Sequence, residues 1–511
     1  MTKYALISVS DKTGIESLAI ALEELDYTIL STSNTAKYLK QYCQNVVMIS
    51  DVTGFPEILD GRVKTLHPHI HAGILANRQE ASHLQTLELH GIDCIDIVVV
   101  NLYPFMQVRA TPEATHEQII ENIDIGGPCL IRAAAKNNSG VLVLTDPADY
   151  VHTIEHLRNR AMSDEWRMYL ARKAFSLVSS YDAHIAEYFS SLLDKSGSPQ
   201  QGLHLNCENQ VHLRYGENPH QEAAFYPADN NGIEVIHGKE LSYNNYLDID
   251  AALRGIALYS QPTTIIIKHT NPCGIGSGDD LAAAYQRAFS TDTISPYGGI
   301  VVVNRMLDLV TARLINSIFT EIIIAPGYED EVLDLLRKKE DRRLLCYRQD
   351  VTKLRPIPWE LRSLTLGYLQ QDWDEMSNLS TDWQVVTERK PSVAERQAME
   401  FGWKAVAQIK CNAIALTNNT TVFGLGMGQT SRIDSTDIAV RKAQKFGHNL
   451  HGAICASDGF FPFRDSIEEV AKHGIKAIIQ PGGSKGDEEC ITACNELGIA
   501  MVFTGKRHFR H

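Results

Sequence analysis

The chain has 511 residues, 44% hydrophobic and 22% charged, which excludes a disordered, collagen-like or small disulfide-stapled protein. Its 62 acidic against 48 basic side chains leave a formal charge of -14, so nucleic acid and anionic membrane are poor partners, whereas small anionic substrates need only a local basic cluster. No apolar run reaches the ~18 residues of a membrane span, and the N-terminus carries no secretory pattern. The ten cysteines form no CxxC pair, so the expectation is a cytoplasmic protein with free thiols. Only Cys490 and Cys494 come near zinc-ligand spacing, and no metal is expected there.

Residues 4–9 read as a strand, 14–25 as an amphipathic helix and 27–31 as a second strand. The runs 97–103 (IVVVNLY) and 141–145 (VLVLT) are continuously apolar, as in strands of a parallel sheet covered on both faces. A helix over 163–193 leads into the polar Gly/Pro-containing stretch 194–199, which sets a boundary between domains 1–197 and 198–511. The first domain is therefore expected to be an open α/β sheet that binds ligands at the carboxyl ends of its strands. Beyond the boundary the pattern occurs twice. Residues 265–278, a helix and 295–305 form one half; 413–432, a helix and 451–465 form the other. Each half reads as a strand, a Gly- and Asn-rich turn, a helix and a second strand, with 328–394 as an elaboration of the first.

Reactive groups concentrate at the strand ends. Ser10-Asp11-Lys12-Thr13-Gly14 is either a capped helix start or a phosphate site, and the polar turn Thr32-Ser33-Asn34-Thr35 lies beside it. In GRVKTLHPHIHAG, Arg62 and Lys64 suit an anion. His67, His69 and His71 resemble a metal set, but Pro68 interrupts them and no carboxylate or cysteine accompanies them. Asn101, Tyr103, Asp124 and Lys136 offer groups for proton transfer around a heterocycle. In the second half, Lys268-His269-Thr270-Asn271-Pro272-Cys273-Gly274 follows an apolar strand. A lysine beside a histidine can keep the imidazole a neutral base near pH 7; the alternative is a solvent-facing turn capped by Asn271. The Pro-Cys pair suggests a zinc deaminase, but the H-x-E and P-C-x-x-C ligand sets are both missing. Phe460, Phe461 and Phe463 form either a stacking surface or a core cluster.

Taken in order, SVSDKTG, TGFPEILDGRVKTLHP, NLYPF, IDIGG with LIRAAAKN, LRYGENPHQ, IKHTNPCG, GLGMGQTSRID and SDGFFPFRD resemble one family along nearly the whole chain. It is the bifunctional purine-biosynthesis family of AICAR transformylase/IMP cyclohydrolase, AICAR being 5-aminoimidazole-4-carboxamide ribonucleotide. The resemblance implies a methylglyoxal-synthase-like domain for ring closure of formyl-AICAR to IMP. It also implies a transformylase unit of two cytidine-deaminase-like α/β subdomains without zinc. The co-substrate would be 10-formyltetrahydrofolate, a bound monovalent cation is left open, and the molecule would be a homodimer with shared transformylase sites.

Carried over by residue, the cyclohydrolase site would hold nucleotide through Ser10, Asp11, Lys12, Thr32, Ser33, Asn34, Thr35, Arg62, Val63, Lys64 and Thr65. Asn101, Tyr103, Asp124, Ile125, Gly126 and Lys136 would surround the base, with Lys136 transferring a proton. For formyl transfer, His269 would be general base and Lys268 would stabilise charge. Arg214, Tyr215, Gly298, Glu321, Asn412, Arg432, Phe460 and Arg507 would bind AICAR, and Ile433, Asp465, Ser484 and Lys485 would approach the folate. Two departures stand out. Ser33-Asn34 replaces the family's usual Gly-Gly, where a left-handed backbone would strain serine, and Glu321 stands where some members have Asp. The competing readings are an amidohydrolase or deaminase, disfavoured by the missing metal ligands unless it works metal-free, and a non-catalytic purine-nucleotide-binding regulator, which needs no Lys-His pair.

Overall fold

The apolar runs near the N-terminus form the middle of a parallel sheet. In the computed structural model, which describes residues 2–193, 202–203, 205, 207, 210–228, 232–348, 359–376 and 382–511, five strands come first. They are β1 (Lys3–Ser8), β2 (Tyr27–Ser31), β3 (Val46–Met48), β4 (Ile97–Val100) and β5 (Leu142–Leu144). They pair in the order β3-β2-β1-β4-β5, every neighbour parallel. All of β4 and β5 is buried, as expected of strands covered on both faces. β4 ends at Val100, short of its apolar run, and the next residue, Asn101, uses its side chain to bond the Ser10 and Asp11 amides. Pro104, three residues further on, has no amide to donate. The helix Asp164–Leu193 buries Leu170, Ala174, Val178 and Tyr181, a stripe at helical spacing.

Residues 1–206 and 207–511 form two compact units. The boundary stretch 194–199 lies outside the described residues. In the second unit a short ribbon, β6 (Val211–Leu213) with β7 (Ala223–Phe225), precedes two six-stranded sheets. The first contains β8 (Ile233–His237), β9 (Thr263–Lys268), β10 (Asn271–Ser277), β11 (Gly299–Val303), β12 (Thr320–Ala325) and β13 (Arg343–Tyr347). After a hairpin of β14 (Trp359–Leu364) and β15 (Gly367–Asp372), the second contains β16 (Gln384–Val385), β17 (Ile414–Thr417), β18 (Val422–Gly426), β19 (Ile454–Ser457), β20 (Ala477–Gln480) and β21 (Ala500–Phe503). The orders β10-β9-β11-β12-β13-β8 and β18-β17-β19-β20-β21-β16 match position by position, so the sequence duplication is a structural one.

Two expectations need correction. β13, read as part of an elaboration, is a fully buried strand of the first sheet. The glycines read as a turn lie in strands: Gly274 and Gly276 in β10, Gly424 and Gly426 in β18. A Cβ on Gly274 would sit 1.9 Å from the Ala288 carbonyl oxygen, and one on Gly426 would sit 1.8 Å from that of Ser435. Glycine lets the helices Leu281–Thr291 and Arg432–Lys445 lie directly on these strands. The two halves share one core, in which Ile249, Ile265 and Ile322 meet Met399, Trp403 and Ile454.

Cys490 and Cys494 are buried on the helix Asp487–Leu497, and burial pushes the Cys490 thiol up to about 11. Among the described residues no cluster of three or more His, Cys, Asp or Glu could hold a metal ion, and no helix is long and apolar enough to cross a membrane.

Candidate active sites, one in each unit

In the first unit the chain leaves β1 toward β2 and β3, then returns to place β4 on the other side of β1. That reversal opens a crevice at the carboxyl ends of the strands. A cleft of about 520 Å³ occupies it, lined by Ser10, Lys12, Thr32, Asn34, Thr35, Arg62, Lys64, Thr65, Asn101, Tyr103, Asp124, Ile125 and Gly126. Asn101 spans the switch point. Its Oδ1 accepts the Ser10 and Asp11 amides at 2.6 and 3.0 Å, and its Nδ2 donates to the Asp11 carbonyl at 2.8 Å. Lys12 donates to the Val9 carbonyl at 2.5 Å, and burial lowers its pKa.

The strand-end turn differs from its sequence reading. Ser33 and Asn34 begin the helix Ser33–Leu39, and neither has a positive φ, so the expected serine strain is absent. The Ser33 amide and hydroxyl donate to Glu57 at 3.1 and 2.6 Å, and Lys64 Nζ lies 3.9 Å from the same carboxylate. Strain falls instead on Leu59 and Asp60, with φ of 55° and 52°, and Gly61 follows at 87°, which glycine adopts freely. A Cβ on Gly61 would meet Lys64 Cε at 2.4 Å, so this glycine leaves room for the lysine. Arg62 pairs with Glu121, which raises its pKa.

Asp124 is pushed above the usual carboxylate range by burial, although the Gly127 amide, donating at 2.8 Å, and nearby Lys64 oppose this. Burial and then Asp124 push Tyr103 up as well. Four expected residues do not line the cleft. Asp11 turns back to accept the Thr13 amide and hydroxyl, Ser33 faces Glu57, and Val63 bridges to Ile58. Lys136 is exposed at the far end of the helix that Gly126 begins, about 15 Å along its axis. Sequence reading missed Glu57 and Tyr181, whose hydroxyl accepts the Asp124 amide at 2.9 Å. Both act across long sequence separations, and nothing local announces them.

In the second unit, His269 and Thr270 make the whole turn between β9 and β10. Lys268 Nζ donates to the Tyr297 carbonyl at 2.8 Å, just before Gly298. Glu321, the second residue of β12, accepts from Asn245 at 3.1 Å and from buried Arg343 at 3.0 Å. Arg214 and Tyr215 follow β6, with the guanidinium 5.6 Å from the tyrosine ring centroid. Asn271 Oδ1 accepts the Lys410 amide at 3.3 Å, so within one chain this turn adjoins the segment leading to Asn412.

Asn412 has a left-handed φ of 41° and donates to the Gln429 carbonyl at 2.7 Å. Arg432 is buried and donates to Ser457 at 2.7 Å and to Asp458 at 2.6 Å. Gly459 admits the Arg432 guanidinium and the Phe509 ring, over which Arg507 stacks at 4.6 Å. The phenylalanines divide: Phe461 is fully buried in the core, and Phe460 and Phe463 are exposed. Ile433 is half-buried beside Arg432, and the Asp465 carboxylate accepts the Ser466 amide at 2.6 Å. The Ser484 hydroxyl accepts the Gly486 amide at 3.0 Å, and Lys485 is exposed between them. A Cβ on Gly486 would sit 2.5 Å from the Pro462 carbonyl oxygen, so this loop adjoins the loop carrying Phe460 and Phe463.

Comparison with known proteins bears on both sites. The family model "AICARFT/IMPCHase bienzyme" matches residues 134–442, and "MGS-like domain" matches 14–129. The "Bifunctional purine biosynthesis protein PurH" of Chlorobium chlorochromatii is 47% identical over 521 residues, covering 100% of this chain and 99% of the relative. Proteins of the same name from Chlorobium phaeobacteroides and Streptococcus gordonii are 48% and 47% identical, each over 100% of this chain and 99% and 100% of their own lengths. A solved structure described as "Crystal structure of ForH" aligns at 38% identity and a TM-score of 0.34, over 39% of this chain and 100% of its own.

Proposed function

The chain belongs to the AICARFT/IMPCHase bienzyme family, and from that membership we propose a division of its two reactions between the two units. It is a bifunctional enzyme of purine biosynthesis that formylates AICAR and closes formyl-AICAR to IMP. Full-length similarity to the bifunctional relatives carries this conclusion.

Ring closure belongs to the first unit. Lys12 and the neighbouring loop take the nucleotide phosphate, a role favoured by a partly desolvated cation at the strand end. The carboxamide nitrogen attacks the formyl carbon of the same molecule, and the resulting hydroxyl leaves as water. Holding the two groups together supplies most of the acceleration. Asp124, made more basic by burial, takes the carboxamide proton. Lys64 stabilises the developing oxyanion, and Tyr103 orients the ring.

Formyl transfer belongs to the second unit. The amine of AICAR is a poor nucleophile because ring and carboxamide withdraw its lone pair, so His269 removes a proton during attack and Lys268 stabilises the oxyanion. Arg214, Tyr215, Gly298, Glu321, Asn412, Phe460 and Arg507 form the nucleotide pocket. Arg432 acts there through its pairing with Asp458.

Formyl transfer in this family draws on a folate co-substrate. We assign it as 10-formyltetrahydrofolate, the donor of the formyl carbon, held by Ile433, Asp465, Ser484 and Lys485. The adjacent loops carrying the last three of these residues fit that role. The proposed molecule is a cytoplasmic homodimer in which His269 of one chain meets Asn412 of the other. The one-chain contact of Asn271 with Lys410 defines the competing arrangement.

Purified protein given AICAR and 10-formyltetrahydrofolate should accumulate IMP. Absence of IMP under conditions where formyl-AICAR is also not consumed would overturn the assignment of both sites.

A further inference from the structure

Between β9 and β10 the chain reverses in two residues, His269 and Thr270, with φ of 56° and 62°. Reversals with both central residues left-handed normally use Asn-Gly or Gly-Gly, and β-branched threonine is among the residues that accept that region least. Something outside the hairpin has to hold such a turn. Asp248, on the helix Tyr243–Ile256, reaches it: Oδ1 accepts the Thr270 amide at 2.5 Å. On the other side, Asn271 Nδ2 donates to the His269 carbonyl at 2.9 Å. The turn is thus tied at the Thr270 amide and the His269 carbonyl, while His269 itself is left exposed.

The base of this clamp is itself fixed. Ser242 and Asn245 close a reciprocal cap at the start of the Asp248 helix, and Asn245 donates onward to Glu321, which pairs with Arg343. An aspartate one turn into a firmly capped helix is a rigid point from which to hold a strained loop.

We propose that Asp248 is a positioning residue for formyl transfer, clamping the Thr270 amide and with it the turn, so that the imidazole of His269 keeps one attitude toward the amine of AICAR. This rests on the reading of His269 as general base. Without the clamp, Thr270 relaxes out of the left-handed region and His269 swings with it. A displacement on the order of 1 Å at a reacting group costs about a hundredfold in rate.

The test uses the full-length enzyme. Asp248→Ala should lower kcat for formyl transfer about a hundredfold while KM for AICAR moves less than about threefold, with cyclisation of supplied formyl-AICAR retained. Asp248→Asn keeps an acceptor oxygen in place and should stay within about fivefold of wild type. Adding Thr270→Gly to Asp248→Ala should restore about tenfold, because glycine adopts the left-handed turn without help. Should the alanine variant fail to fold, Asp248→Ser, too short to reach the Thr270 amide, replaces it in the same comparison.

The clamp is overturned if loss of the carboxylate leaves kcat within about threefold of wild type, or if Thr270→Gly restores nothing to a chain that still cyclises. His269→Ala separates the two claims. If that variant keeps formyl transfer, the general-base reading fails whatever Asp248 does; if it is inactive and Asp248→Ala is not, the clamp alone fails.

Discussion

Removing the carboxylate of Asp458 should destabilise the second unit more than almost any other single change. Arg432 and Asp458 have side-chain exposures of 6% and 0%, and their bond is 2.6 Å, with Ser457 the other acceptor on Arg432 Nη1. Burial alone pushes the Asp458 carboxyl up, and Arg432 opposes that shift. Asp458→Ala leaves a guanidinium desolvated without its counter-charge, which costs about 3–5 kcal/mol; Arg432→Ala strands the carboxylate at a similar cost. The double variant removes both charges, so its loss should fall well short of the sum of the singles. Hydrogen exchange of the β19 amides (Ile454–Ser457), read by mass spectrometry, measures this directly, because their protection follows opening of that core. Single-variant losses below about 1 kcal/mol, or a strictly additive double, would refute the reading of this pair as a buried, mutually dependent anchor.

Gly61→Ala should lower cyclisation about a hundredfold and spare formyl transfer, since its Cβ would lie 2.4 Å from Lys64 Cε and displace the lysine; steady-state assays of both steps check it. Lys12 has its pKa lowered by burial from the usual 10.5, so between the folded value and 10.5 the unfolded chain binds more protons and stability of the first unit should rise with pH. Urea melts across that window should lose this slope in Lys12→Met, whose KM for formyl-AICAR should also rise. Mixing His269→Ala with Asn412→Gly, each inactive in formyl transfer, should return about a quarter of wild-type activity after subunit exchange if the sites are shared between chains, and none if both residues come from one chain.

The parallel sheet and its strand-end loops were legible because buried parallel strands are continuously apolar and their carboxyl ends are where open α/β sheets bind ligands. The duplication was legible too, although composition could not tell a turn glycine from a packing one. Gly274 and Gly426 are demanded by helices that arrive later in the chain. The expected strain at Ser33 came from treating a helix start as a loop, and Glu57, which holds that start, lies 24 residues away. Lys136 could have been placed from the sequence, since one helix carries both Gly126 and Lys136 and its rise separates them. The left-handed His269-Thr270 turn has no local signature, because β-branched threonine disfavours it and the Asp248 carboxylate that holds it comes from elsewhere.

The division of the two reactions between the two units is tested most directly by feeding each intermediate to two variants of the full-length enzyme, Lys64→Met and His269→Ala. Given AICAR and 10-formyltetrahydrofolate, Lys64→Met should accumulate formyl-AICAR with little IMP. His269→Ala should make no formyl-AICAR but should still convert supplied formyl-AICAR to IMP. Loss of both steps in either folded variant, or IMP formed from AICAR by both, would contradict the account.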